Sequence, residues 1–100
     1  MFRAMRLKDD LNRLRSQILA LAAANGAEHV RVFGSVARGE DSDESDVDFL
    51  VALSPGRSLL DLTRLELQLE ALIGRRVDVV TEESLNEPVR STALRQAVLV

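Results

Sequence analysis

The chain has 100 residues, 46% hydrophobic and 29% charged, with a formal net charge of −3. That length and balance predict one globular domain over residues 1–100, with a single core and no room for a second module. An acidic balance disfavours direct binding to nucleic acid or anionic membrane, three Phe are too few for a base-stacking platform, and a chain without Cys has no disulfide or thiolate zinc site.

The first segment carries Leu7, Leu11, Leu14, Ile18 and Leu21 at alternating spacings of four and three, one stripe of an amphipathic helix. Ala20 to Ala24 extend it, and Gly26 is a natural stop. His29 to Phe33, HVRVF, alternates and is rich in valine, which predicts a strand. Gly34 and Ser35 follow directly and open a short helix over Ser35 to Arg38. Val47 to Leu53, VDFLVAL, is nearly continuous in apolar character, as expected of a strand inside a sheet. SPG at Ser54 to Gly56 is a turn.

Ser58 and Asp61 form a capping-box-like start for the next helix. Leu62, Leu65, Leu69, Leu72 and Ile73 are its buried stripe, and Gly74 ends it. Arg75 to Thr81, RRVDVVT, predicts a third strand. Asn86 and Pro88 mark a further helix start, with Pro in the first turn. The tail from Arg95 to Val100 could finish that helix or form an edge strand. The order is that of an α/β (α+β) fold, a small mixed β-sheet with helices packed on it. No apolar run approaches membrane-spanning length and no apolar leader follows Met1, which predicts a cytoplasmic protein.

Between the first two strands lie six acidic residues within Glu40 to Asp48, a concentration of like charge that needs water, basic groups or a metal ion to offset it. Two familiar motifs fail there. Gly34 and Gly39 have P-loop spacing, but Glu40 and Asp41 stand where Lys and Ser or Thr are required. A calcium loop fails because Asp46 and Ala52 occupy the positions that need Gly and a bidentate Glu.

Asp46 and Asp48 lie two apart on a strand, so their side chains share a face roughly 6–7 Å apart. Asp78 is an isolated acid inside a valine-rich strand and needs a partner or a metal. If the second and third strands are neighbours, the three carboxylates form an oxygen-rich site suited to Mg²⁺ or Mn²⁺, and two such ions suit in-line displacement at phosphorus. The Gly34–Ser35 turn adds close backbone approach and exposed amides for phosphate oxygens, with Arg38 as a charged contact. The plainer readings are a solvated acidic strand end for Asp46 and Asp48, and an ion pair of Asp78 with Arg75 or Arg76. Arg38 could simply balance nearby carboxylates. Glu40, Asp41, Asp43 and Glu44 read as a solvated loop.

Gly34-Ser35 followed by Asp46-Val47-Asp48, within FGSVARGEDSDESDVDFLV, resembles the signature of the DNA polymerase β-like nucleotidyltransferase superfamily, and its minimal nucleotidyltransferase branch above all. The resemblance covers about residues 5–98 and departs in the tail, where QAVLV replaces an acid-Gly pair and an aromatic. It implies the nucleotidyltransferase fold, Asp46, Asp48 and Asp78 as ligands of two Mg²⁺ ions, Gly34 and Ser35 as the triphosphate clamp, and ATP as substrate. It further implies an antitoxin of a two-gene module, transferring AMP to a tyrosine of a HEPN-domain RNase toxin with which it assembles. Two other functions compete: a small-molecule nucleotidyltransferase of the antibiotic-modifying kind, and a non-catalytic antitoxin that blocks its partner sterically.

Overall fold

The computed structural model describes residues 7–40 and 45–100. Two helical segments, α1 (Leu7–Arg13) and α2 (Arg15–Ala24), lead into β1 (Ala27–Phe33) and the short α3 (Ser35–Arg38). There follow β2 (Val47–Leu53), α4 (Leu59–Ile73), β3 (Val77–Thr81), a 3-10 turn (Glu82–Ser84), α5 (Val89–Gln96) and β4 (Val98–Leu99). The strands form one mixed sheet in the order β3-β2-β1-β4, with β2 parallel to β3 and antiparallel to β1, and β4 antiparallel to β1.

The alternation of β2 divides the molecule. Val47, Phe49 and Val51 are buried with Val30, Val32, Val77 and Val79 against Ile18, Ala22, Leu62, Leu65 and Leu69 of the helices. Leu11, Ile18, Leu62, Leu65 and Leu69 of the two predicted leucine stripes lie in this core, and Leu14, Leu21, Leu72 and Ile73 pack against it partly buried. Asp48 and Leu50 face the other way. Leu50 is fully buried but stands apart from that cluster.

The expected mixed sheet with helices packed on it is therefore present, and β2 has the predicted limits. Ser58 caps α4, accepting from the Leu60 N–H at 3.3 Å, while the Ser58 N–H donates to Asp61 at 2.9 Å. Gly74 closes α4 at φ +78°, a left-handed conformation that glycine adopts without steric cost.

Three details differ from the sequence expectations, and a fourth joins two alternatives. The first helix is not continuous: it kinks at Leu14, although the Leu14 N–H to Asp10 O and Ile18 N–H to Leu14 O bonds persist at 3.0 and 2.9 Å. Neither Pro nor Gly stands there, and nothing in the local sequence explains the break. β1 begins two residues early, at Ala27, and contains a register shift between Glu28 and Arg31 with His29 at φ +52°. This bulge lets both Ala27 and Val30 face the core despite their odd spacing. Pro88 precedes the first turn of α5 instead of lying within it. The tail satisfies both readings: α5 runs to Gln96, then Val98 and Leu99 pair with Val32 and Arg31.

β3 lies at the sheet edge, where outward N–H groups need partners. α4 supplies them: Glu70 accepts from the Val77 N–H at 3.0 Å and Glu66 from the Val79 N–H at 2.9 Å. Asn25, almost fully buried, donates to Leu21 O at 2.9 Å and Gln68 Oε1 at 2.8 Å and accepts from Arg64 at 3.3 Å, tying the end of α2 to α4. Truncating a partner of a buried polar group costs about 1–3 kcal/mol. Asn25→Ala should therefore lower stability by about that amount, read as a reduced urea midpoint with an unchanged slope.

Candidate active site

Register brings the acids together. Asp48 is the cross-strand partner of Asp78 on one side and of Phe33 on the other. Neighbouring strands run about 4.8 Å apart, so the three residues form a row across the sheet on the face turned away from the main core. Asp46 stands one residue before β2, two positions from Asp48 and on the same face. The strand entrance is held by the Val47 N–H donating to Arg76 O at 2.9 Å and by Arg75 donating to Ser45 O at 3.0 Å. Asp46 and Asp48 are partly buried and Asp78 is exposed.

The electrostatics follow from this geometry. Burial pushes the Asp48 carboxyl above its ordinary range, and the Asp78 and Asp46 carboxylates push it further in the same direction. Among the described residues no ion pair reaches Asp78.

Gly34 closes the site from the β1 side. A Cβ on Gly34 would sit 2.7 Å from Asp48 Oδ2, and its φ is +76°. Both facts favour glycine, and they set the turn backbone against the carboxylate. Ser35 opens α3 directly after it, while Arg38 N–H and Glu40 N–H donate back to Gly34 O and Ser35 O at 3.1 and 2.9 Å.

Arg38 is engaged elsewhere: its Nε donates to Glu40 at 2.8 Å and its guanidinium to Gln96 Oε1 at 3.1 Å. The plain reading, in which it balances a nearby carboxylate, describes this arrangement. Asp41, Asp43 and Glu44 lie outside the described residues.

Two features escaped the sequence. Phe33 was legible only as a strand residue, whereas its register puts it beside Asp48. It also lines a cleft of about 250 Å³ with Gly34, Val89, Thr92, Ala93 and Gln96. Arg31, one position pair further along, makes a 3.2 Å ion pair with Glu82 across the same face.

The donor set is all oxygen, the chemistry of a hard divalent cation. Among the described residues, no three His, Cys, Asp or Glu side chains are gathered tightly enough to grip an ion as they stand. Asp48 nevertheless feels both other aspartates, so the three are close enough to repel. Such a set fits a cation that draws the carboxylates inward.

The nucleotidyltransferase domain family matches residues 11–100, and the chain belongs to that family. It is 47% identical over 75 residues to the protein adenylyltransferase MntA of Thermococcus cleftensis, covering 75% of this chain and 76% of that one. A Methanocaldococcus jannaschii protein named "putative protein adenylyltransferase" is 37% identical over 89 residues, covering 89% of this chain and 96% of the relative. A solved structure named for a "putative minimal nucleotidyltransferase" superposes with a TM-score of 0.85 at 48% identity, covering 99% of this chain and all 100% of that one. A toxin–antitoxin crystal structure with AMP-PNP shares the fold, with a TM-score of 0.72 at 21% identity over 84% of this chain and 69% of that one.

The upward shift of the Asp48 carboxyl makes stability depend on pH. A carboxyl whose folded pKa lies above its unfolded value binds more protons when folded, so stability falls as pH rises through that interval. In metal-free buffer Asp48→Asn should therefore melt a few degrees above the parent at pH 7. The gap should close below about pH 4, where the parent carboxyl is protonated in both states.

Proposed function

We propose that this protein is a Mg²⁺-dependent protein adenylyltransferase that transfers AMP from ATP to a hydroxyl, a tyrosine by preference, of a HEPN-domain RNase toxin and so acts as its antitoxin. The observation that carries the reading is the row Asp78-Asp48, with Asp46 beside it, set against the Gly34–Ser35 turn. It is supported by the relative from Thermococcus cleftensis, which bears the name protein adenylyltransferase. The toxin–antitoxin structures named for MntA–HpeT and for AMP-PNP share this fold.

In this reading Asp46 and Asp48 hold two divalent ions, Asp78 completes the site on the acceptor side, and Gly34 and Ser35 receive the β- and γ-phosphates. Bound there, Mg²⁺ or Mn²⁺ supplies charge neutralisation on the triphosphate and a lowered pKa at the attacking hydroxyl. The acceptor oxygen bonds to the α-phosphorus and the bond from that phosphorus to pyrophosphate breaks in line. The acceptor proton passes to Asp78, the most exposed of the three carboxylates. Positioning and electrostatics account for most of such catalysis. A cytoplasmic location, where ATP is at hand, belongs to the same proposal.

An added AMP brings a bulky anion to the toxin, which repels RNA and obstructs an RNase site. This chain contains no Tyr, so any adenylylated tyrosine in a mixture of the two proteins belongs to the partner. Mass spectrometry of the co-expressed partner should show added AMP units. Asp46→Asn with Asp48→Asn should reduce the modification at least ~100-fold without unfolding the chain. A toxin neutralised equally well by that double variant, and carrying no nucleotide, would identify a steric antitoxin instead.

A further inference from the structure

Asp46 lies one residue before β2, outside the paired positions that fix Asp48 and Asp78. Its two neighbouring peptide groups are nevertheless held. The Ser45 carbonyl, in the peptide that enters Asp46, accepts from Arg75 Nη1 at 3.0 Å. The Val47 N–H, in the peptide that leaves it, donates to Arg76 O at 2.9 Å. We infer that Arg75 is a positioning residue for the metal site, which aims the Asp46 carboxylate by holding the peptide in front of it. This inference rests on the metal-dependent transfer reading and adds to it the group that orients one of the ligands.

Backbone geometry carries the argument. Peptide groups are planar, so a residue turns only about φ and ψ. Holding the planes on both sides of Asp46 restrains both angles, and with them the direction of its Cα–Cβ bond. One anchor, Arg76 O, is main chain and does not depend on the side chain at that position. The other comes from the Arg75 side chain. Gly74 ends α4 at φ +78° and delivers Arg75 to the entrance of β3, directly beside the entrance of β2.

Arginine suits the task. Its guanidinium is planar and always charged, and a bond from it to a carbonyl is charge-assisted. Arg75 is partly buried, which strengthens that bond against competing water. It reaches the main chain beside Asp46, and among the described residues no ion pair takes up the Asp46 carboxylate itself. A ligand oriented from outside, with its oxygens left for the cation, is the usual division between metal ligands and the groups that support them. Charge alone would work the other way, because a guanidinium near a cation site repels a divalent ion. Positioning and charge therefore give opposite signs when the guanidinium is removed.

Mn²⁺ titrated into the protein with AMP-PNP, followed by electron paramagnetic resonance against a nucleotide-only blank, reads that sign. Arg75→Met keeps an unbranched apolar stem and removes donor and charge. Arg75→Gln replaces it should that variant fail to fold, as judged by circular dichroism. The expected result is Mn²⁺ affinity about tenfold weaker in the folded variant, the lower end of what loss of a supporting group costs a metal site. Unchanged affinity, with or without a lower melting temperature, would make Arg75 a structural residue only and overturn the inference. Tighter binding would overturn it too, since that is the sign of charge repulsion relieved. A parent protein that binds no Mn²⁺ beyond the blank would overturn the metal-dependent reading itself, a result distinct from failure of the Arg75 assignment.

Discussion

The placement of Asp48 and Asp78 side by side on neighbouring parallel strands, with Asp46 two residues upstream, is the constraint on which the rest depends. Like charges on rigid strands oppose folding, and burial of Asp48 adds to the cost. The arrangement persists because β2 is anchored on its other face. Val47, Phe49 and Val51 are all at most 1% exposed, and at roughly 1.5–3 kcal/mol per fully buried large apolar side chain they outweigh the repulsion of a few partly solvated carboxylates. One strand thus holds the core with one set of side chains and the charge with the other.

Rigidity at the edges serves the same end. β3 brings Asp78 but has one strand neighbour among the described residues, and Glu66 and Glu70 occupy its outward N–H groups. That blocks further strand pairing and fixes the strand against α4. On the other side of β2, the Gly34 turn contacts Asp48 so closely that its backbone geometry and the carboxylate position are linked. The Arg31–Glu82 pair ties β1 to the chain beyond β3 across the buried Leu50. These contacts restrain the row from both sides, which is what an electrostatic site needs if it is to act without reorganising.

Local patterns were legible in the sequence and long-range pairing was not. The β2 limits, the Ser58 capping box and the Gly74 stop follow from alternation, side-chain hydrogen bonding and left-handed glycine, all properties of a few adjacent residues. The placement of Asp48 beside Asp78 was readable on the condition that β2 and β3 are neighbours, and they are. The kink at Leu14, the bulge at His29 and the pairing of Val98–Leu99 with β1 have no signal in any short window of the sequence. The Phe33 cleft needed both the register of β1 and the position of α5, so no motif announced it. The Arg38–Gln96 hydrogen bond was not legible, because Gln96 lies far along the chain.

Metal-dependent stabilisation tests the central claim most directly, because the claim is that the carboxylates are kept close to receive cations. The parent protein and Asp48→Asn would be melted across a Mg²⁺ titration in the presence of ATP. Ligands that bind only the folded state raise its stability in proportion to the logarithm of their concentration. The account predicts that the melting temperature of the parent climbs with Mg²⁺ while that of Asp48→Asn stays nearly flat, so that their metal-free order reverses. Parallel curves, or a parent indifferent to Mg²⁺, would contradict it.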